Sequence, residues 1–581
     1  MNELIVGIDL GTTNSVLAVV QDGKIKVIDI HGQPTMPSCV GLDSSGQLLV
    51  GEVARNQLIA APDATLLSIK RRMGEDGRIK LGEKEFSPEE ISSFILRELK
   101  REGEKQLGRE IRKAVITVPA FFNERQRKAT QIAGELAGLE VVRILNEPTA
   151  AALAYGAGRT DDETMLVYDL GGGTFDVSVV VVEQGVVEVK ASHGDTRLGG
   201  DDFDQLLIQE ALRVFQEGHG VDLSGNGQVL RRLKVVLEHT KRRLSDEPFV
   251  PVREEFLDGL HHLEMEIQRD DYETMIAPLM EKTLACVHQS MQDAKLLPRD
   301  IGKVMLVGGS TRTPLVHRML HDRVQLEPRW EIDPDLIVAM GAAVQGAIIA
   351  GEKNYSILVD ITPHTFSTST LSVIDGYERL IAAPIIPRNT PLPASKSEVF
   401  YTICDNQDTV RVDALQGEMP LAEQNTFIGE FLVEGLSKVP SGNPIVIRFD
   451  LDLNGMLKVT AKEKNTGLAK TVTMDTRGAA VLDMEQARRN IASLVGEPEA
   501  GESSADGDTN EAPEAPEALL ATAKDLRKRG EALLTQNINA DDAGEIRELI
   551  HHSAEAIANR DWKSLSRTND TLSDLIFYLE D

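Results

Sequence analysis

The stretch "GIDLGTTNSV", which begins at Gly7, is echoed by "VYDLGGGTFDVSVV", which begins at Val167. In each, an apolar run reaches Asp-Leu-Gly, crosses glycine or small hydroxyl residues and turns apolar again. A strand, a tight turn and a second strand fit that pattern. Glycine admits positive φ and lets backbone N–H groups approach a ligand with no Cβ in the way. A row of such amides makes an anion cradle, to which Thr or Ser hydroxyls add donors. The aspartates Asp9 and Asp169 lie 160 residues apart. A carboxylate repels phosphate unless it holds Mg2+ or its waters, which neutralises the charge. Two such hairpins, one from each half of a duplicated α/β unit, would grip a polyphosphate from both sides.

Either hairpin alone could be just a turn. Both together, followed by a third strand-to-glycine element, "VMLVGGSTRTP" (304–314), make a more specific signal. Neither GxxxxGK(S/T) nor GxGxxG occurs, so the pattern is not that of a P-loop or a dinucleotide fingerprint.

A chain of 581 residues exceeds one hydrophobic core and predicts three or four domains. Up to about residue 350, strand-like runs such as "KAVITVPA" (113–120) and "KVMLVGGS" (303–310) alternate with helical spacing. The helical stretches include "PEEISSFILRELKREGEKQLG" (88–108) and "ERQRKATQIAGELAGLE" (124–140). That alternation indicates an α/β architecture over 1–353. A short apolar strip, 354–361, reads as a linker. Residues 362–477 alternate apolar and polar between Asp-Asn and Asn-Gly turns, as an antiparallel β domain would. A helical region starts over 478–495. Residues 496–518 are rich in Glu, Ala, Pro, Gly and Ser with no large apolar side chain, and read as a disordered acidic tether. Helical periodicity returns over 519–581.

A formal net charge of −30 and an aromatic content of 4% argue against nucleic-acid binding as the main work. Cys39, Cys286 and Cys404 are widely spaced and support neither a disulfide framework nor a zinc site. The N-terminus lacks a basic region before its short apolar run, and no 18-residue apolar stretch exists to span a membrane. The expectation is a cytoplasmic protein.

The segments "ITVPAFFNERQRKAT" (116–130), "NEPTAAALAYG" (146–156) and "GDTRLGGDDFD" (194–204) sharpen the picture. With the hairpins, they resemble the ATPase superfamily of actin, sugar kinases and the 70-kDa heat-shock chaperones, and within it the DnaK-type chaperones. The resemblance continues through "DNQ" (405–407), "LQGE" (415–418) and "DLNGMLKVTAKEKNTG" (452–467). The compressed segment around "RRMGEDGRIKLGEKEF" looks most like the HscC-type branch. The resemblance implies a duplicated actin-like, ribonuclease H-like ATPase domain, an antiparallel β-sandwich and a short α-helical C-terminal domain.

It also implies roles. Gly11, Thr12, Thr13, Asn14 and Gly171, Gly172, Gly173, Thr174 would hold phosphates, with Gly199, Gly200 and Asp201 beside them. Asp9 and Asp169 match carboxylates that fix Mg2+ through its waters, and Asp176 with Asp9 matches potassium sites. Lys70 matches a lysine that reaches the γ-phosphate; in isolation it would read as an exposed helix lysine. Glu147 and Asp176 match carboxylates that orient the attacking water, and Thr174 is counted with them and Lys70 as catalytic; Glu147 could instead be a first-turn acid before Pro148. Adenosine is expected between Glu238, Lys241, Arg242 and Ser245, which fall on one helical face, and Gly308, Gly309, Ser310, Arg312 and Asp335. A solvated charged face is the plain alternative.

In the β domain, Phe400, Ile403, Val410 and Val412 match a peptide cleft, with Leu371 at its arch. Each could also be ordinary core. Thr368 stands where an apolar cleft residue is usual, which predicts a less apolar cleft. Ile357, Leu358, Val359 and Asp360 match the strip that couples the domains, and Asp360 and Arg143 match positions used by J-domain co-chaperones. Either charge could instead lie on the surface. The function implied is an ATP-dependent chaperone for extended hydrophobic segments of unfolded proteins. It would use ATP/ADP and Mg2+, and its shortened ATPase segments leave a standard nucleotide-exchange factor in doubt. A sugar or acid kinase, or a nucleotide-binding protein without turnover, are the alternatives.

Overall fold

Two six-stranded sheets share the same order over five strands, so the repeat seen in the sequence is a repeat in the fold. In the first, strands run Glu140–Asn146, Lys113–Val118, Ile5–Asp9, Asn14–Gln21 and Lys24–Ile28, with Met36–Pro37 paired to Asn14–Gln21. In the second they run Pro328–Arg329, Lys303–Val307, Glu163–Leu170, Phe175–Glu183, Val186–Asp195 and Ile357–Val359. The central strand of each pairs antiparallel with its hairpin partner and parallel with the next strand. Asp9 and Asp169 thus sit at the carboxyl ends of equivalent strands, the edge where open α/β sheets bind ligands. The computed structural model describes residues 3–157, 162–329, 332–352, 357–374, 376–473, 482–495, 517–534 and 540–558, together with 564, 565, 568, 569 and 572.

The halves are fastened by small residues. The apolar helix Ile337–Ile349 packs on the helix Glu147–Gly156 and on strand Ile5–Asp9. A Cβ on Gly341 would lie 1.7 Å from the Ala150 carbonyl oxygen, and one on Gly7 would lie 2.1 Å from the Ala343 nitrogen. Only glycine fits at these crossings.

The helices begin where their caps predict. Ser87 and Glu90 form a reciprocal capping box at Pro88–Leu107, which ends at Gly108 with φ 62°. Asn123 and Gln126 do the same for Glu124–Leu136. The helical spacing over 124–140 overreaches: Gly138, at φ 73°, turns the chain and Glu140 already starts a strand.

The β region is two packed four-stranded antiparallel sheets. One orders Tyr377–Ile386, Phe366–Ile374, Thr409–Gln416 and Thr426–Glu434; the other orders Ala394–Tyr401, Pro444–Leu451, Leu457–Glu463 and Ala469–Thr473. Phe366, Ile386, Val412, Ile447, Phe449 and Val459 fill the space between them.

Within the strip read as a linker, 357–359 form a strand. Ile357–Val359 pairs in parallel with Val186–Asp195, Val186 opposite Ile357 and Glu188 opposite Val359. The helix Met484–Val495 buries Ala487 and Ile491 in the core of the first sheet. Its Asn490 donates to Glu90 at 2.7 Å, and Lys84 donates to Ser493 at 3.2 Å.

These elements form one compact unit to residue 499, and residues 500–581 form another. In the second, helices Glu517–Leu533 and Ala540–Ala558 pack together, burying Leu526, Leu533 and Ile546 with Leu572. Most of the expected tether, 496–516, lies outside the described residues; Glu517 is already helical. Among the described residues, no helix is long and apolar enough to cross a membrane.

Candidate functional site

The two hairpins meet across a cavity of about 940 Å3. Their turns are held by hydrogen bonds rather than by bulk. Ser38 Oγ donates to the Gly11 carbonyl at 2.7 Å and is itself bonded to Ser15 at 2.8 Å. The second turn is closed by Gly171 N–H to Thr174 O at 3.1 Å. Gly200 and Asp201 N–H reach back to the carbonyls of Gly171 and Gly172 at 3.0 and 2.7 Å. Ser310 Oγ, from the third glycine element, donates to Gly171 O at 2.8 Å.

The turns nearly touch. A Cβ on Gly172 would stand 2.0 Å from Thr13 Oγ1, and one on Gly173 would stand 2.8 Å from Thr12 Cγ2. Any side chain there would fill the cradle.

Gly11, Thr12, Thr13, Asn14, Gly171, Gly172 and Thr174 line the cavity with Asp9, Lys70, Glu147, Asp169 and Asp201. Gly173, Gly199 and Gly200 are not on its wall; a Cβ on Gly199 would lie 2.6 Å from the Gly172 backbone, so these glycines back the turn. Asp176 is also off the wall. It is buried behind Asp169, its strand partner, and accepts from Phe121 N–H at 2.9 Å.

Lys70 is not an exposed helix lysine. It sits on the single turn Ile69–Arg72, only 4% exposed, and its ammonium pairs with the Glu147 carboxylate. Burial alone would lower its pKa, but the Glu147 and Asp9 carboxylates outweigh it and raise the value. Glu147 is both first-turn acid of Glu147–Gly156 and partner of Lys70. The first-turn position is thus seen, and the carboxylate is turned into the cavity rather than to solvent.

Carboxylates are crowded here beyond what one ammonium can satisfy. Burial, then Glu147, pushes Asp9 up to about 7, with Lys70 opposing. Burial and Glu147 likewise push Asp176 up to about 8, and Asp169 well above the carboxylate range. A divalent cation among Asp9, Asp169 and a polyphosphate would restore their charge. The donor set and the glycine cradle therefore fit a magnesium-bound nucleotide.

At the other end of the cavity, Glu238, Lys241 and Arg242 project from the helix Gly227–Arg243, and Ser245 follows just past its end. Arg242 pairs with Glu238 at 2.5 Å. Lys241 bonds the Gly200 carbonyl at 2.9 Å and Asp204 at 2.7 Å. Opposite stand Gly308, Gly309, Ser310, Arg312 and Asp335; Arg312 holds Asp335 at 3.0 Å.

Sequence reasoning missed the clasp over this cavity. Ser68 Oγ donates to Asp201 at 2.6 Å, and Arg71 reaches Asp202 and the Arg197 carbonyl, both at 3.1 Å. Asp204 lay within a quoted segment without being singled out, and nothing local marks Ser68, whose φ of 53° turns it across the cleft.

The β-domain expectations divide. Leu371 and Ile403 are exposed, at 41% and 65%. Phe400 and Val410 pack partly into the sandwich. Val412 is wholly buried in the sandwich core and presents no surface to a groove; from Val412 to Gln416 every residue of this strand is buried. Thr368 is also interior: its hydroxyl donates to the buried Asp413 at 3.2 Å, and the Ser369 N–H and hydroxyl bond the same carboxylate.

Arg143 and Asp360 are not surface charges; both are buried. Asp360 accepts from Asn146 Nδ2 at 3.1 Å and from Thr149 Oγ1 at 3.3 Å. The β domain adds further bonds to the same face: Glu124 N–H to Gln416 at 3.1 Å, Ile144 N–H to Asn454 at 3.1 Å, and Arg388 to Asp293 at 2.8 Å. The strand, its aspartate and the β domain are docked as one surface.

Comparison with known proteins agrees with this geometry. The family described as Hsp70 protein matches residues 5–80 and 75–579. The chain is 45% identical over 504 residues to the chaperone protein DnaK of Thermotoga petrophila, covering 84% of this chain and 83% of that protein. DnaK of Thermotoga maritima gives the same figures. DnaK of Thermosipho melanesiensis is 45% identical over 490 residues, covering 82% of this chain and 80% of its own. Relatives of this kind are ATPases that use nucleotide and Mg2+ and take unfolded polypeptides as clients. The chain belongs to the Hsp70 family and is an ATP-dependent molecular chaperone and ATP hydrolase.

Proposed function

We propose that residues 1–353 form an actin-like, ribonuclease H-like ATPase domain whose paired turns hold the nucleotide. In this reading Thr12, Thr13 and the Gly171–Thr174 turn bind the β- and γ-phosphates. Asp9 and Asp169 hold Mg2+, which neutralises the phosphates. Lys70 steadies the γ-phosphate, Glu147 and Asp176 orient the attacking water, and Asp176 with Asp9 forms potassium sites. Glu238, Lys241, Arg242, Ser245 and Arg312 frame the adenosine. Phosphoryl transfer asks the protein mainly for in-line positioning and charge neutralisation. A buried lysine–carboxylate pair on rigid elements supplies both.

Residues 362–477 form the peptide-binding sandwich and 519–581 the lid, with 354–361 as the coupling segment. The single observation that carries this reading is the pairing of Ile357–Val359 with Val186–Asp195, whose other neighbour, Phe175–Glu183, carries Asp176. A change at the nucleotide thus has one strand to cross before it meets the linker. A coupling free energy of about 1–3 kcal/mol would change peptide affinity severalfold to a hundredfold. Arg143 and Asp360 would be available to a J-domain co-chaperone when this surface opens. A cytoplasmic location and the HscC-like branch complete the reading.

The test is peptide dissociation with ATP and with ADP, in the wild type and in Val359→Asp. Release should be fast with ATP in the wild type and slow in the variant. Equal rates in both proteins would refute the coupling.

A further inference from the structure

One contact in the docked surface is not needed by the reading above. His364, three residues past the Ile361 bridge, places its ring 4.3 Å from the Phe121 ring at 60°. Its Nε2 lies 3.0 Å from the Phe121 carbonyl oxygen. A carbonyl only accepts, so Nε2 carries the proton and donates. His193 also stacks on the Phe121 ring, at 5.0 Å and 30°. The Phe121 N–H is the group that donates to Asp176 at 2.9 Å. One residue of the ATPase domain is therefore held by the β domain at its carbonyl and ring, and bonds the buried carboxylate through its amide.

We propose that His364 is a pH-sensing positioning residue: neutral, it fastens the β domain to Phe121 and so steadies Asp176; protonated, it releases the β domain from the ATPase domain. With Nε2–H already spent on Phe121, an added proton goes to Nδ1, for which no hydrogen-bond partner is present among the described residues. The charged groups facing the ring are Arg127 from the helix Glu124–Leu136, His193 from the strand Val186–Asp195, and Glu418 beyond Thr409–Gln416. Arg388 and Asp293 face His193 and pair with each other. Glu418 is an anion acting on His364, and its two oxygens are engaged by the Thr365 N–H and hydroxyl, each at 2.8 Å. Burial above all, with Arg127 and His193 added, outweighs the Phe121 bond and Glu418 and holds His364 down to about 4.

The sign follows from linkage. Undocked and in water, an imidazole titrates near 6.5. Above that pH both states are neutral and docking carries no proton cost. As pH falls from about 6.5 toward about 4, only the undocked form takes up a proton, so docking weakens progressively. At pH 5.5 the docking equilibrium should be about tenfold weaker than at pH 7.5.

This inference rests on the coupling reading, in which the strip and β domain dock on the ATPase domain when ATP is bound, and the full chain with saturating Mg2+-ATP separates the two. ATP-accelerated peptide release at pH 7.5 tests the coupling. The change in that acceleration from pH 7.5 to 5.5 tests His364: the wild type should lose about tenfold, whereas His364→Gln, which keeps an N–H donor but cannot titrate, should hold its rate. Equal losses in both proteins overturn the proposal. A second measurement does not depend on the variant's docking. With histidine ring carbons labelled, the His364 resonance should titrate well below 6 with ATP and near 6.5 with ADP; one value near 6.5 in both states overturns it.

Discussion

The proposed nucleotide cleft and the proposed client face of the β-sandwich are built in opposite ways. The cleft is built from backbone approach and buried charge: glycine turns with no room for a Cβ, and one lysine shared among several carboxylates. The sandwich offers exposed side chains: Leu371, Val399 and Tyr401 on its strands, and Ile403 in the bend after Tyr401. A site made of fixed dipoles suits one ligand and tolerates no substitution. A face made of apolar side chains suits many segments and tolerates change. On the proposed reading, the difference would let one chain be exacting about a cofactor and permissive about clients.

That contrast can be attacked from its strongest point downward. Gly341→Val would drive a Cβ into the Ala150 carbonyl, where neither backbone can yield. The cost should be about 3 kcal/mol or more, read as a lowered denaturation midpoint of the ATPase domain. A midpoint unchanged from the wild type would show that the halves are not fastened there.

Lys70→Ala removes the ammonium from a buried cluster of carboxylates. Single-turnover hydrolysis should fall about 100-fold or more, the scale set by losing one preorganised charge. A fall of less than about threefold would assign the γ-phosphate contact to another group. Asp360→Ala strips the bonds from Asn146 and Thr149, leaving a buried amide unpaired. ATP-accelerated peptide release should drop about tenfold while basal hydrolysis survives; unaltered acceleration would confine Asp360 to a structural role.

The gentlest test falls on the permissive side. Thr368→Ile removes a hydroxyl from the buried Asp413, which keeps its bonds to Ser369. Stability should fall by about 1–2 kcal/mol, and peptide-array preferences should shift only severalfold. A loss of all binding would mean that the sandwich is as exacting as the cleft.

What the sequence disclosed follows the same division. The hairpins, the third glycine element and the capped helices are local, and their residues announce them. Lys70 and Glu147 were legible as members of a pattern, but their pairing across 77 residues was not. Val412 illustrates the limit on the β side: alternation says that one face of a strand is buried without saying which residues meet a client. The docked surface was least legible. Gln416, Asn454 and His364 acquire partners on the ATPase domain only through tertiary geometry, and no spacing in the chain encodes those meetings. Ser68 and Arg71 escaped for the same reason, since their partners arrive from more than 120 residues away.

The claim beneath all of this is that mirrored turns close over one magnesium-bound triphosphate. A crystal structure with a non-hydrolysable ATP analogue and Mg2+ tests it most directly. The account predicts the triphosphate between Asp9 and Asp169, the Thr12–Thr13 and Gly171–Thr174 turns around it, and Ile357–Val359 still paired with Val186–Asp195. A nucleotide bound anywhere else would contradict it.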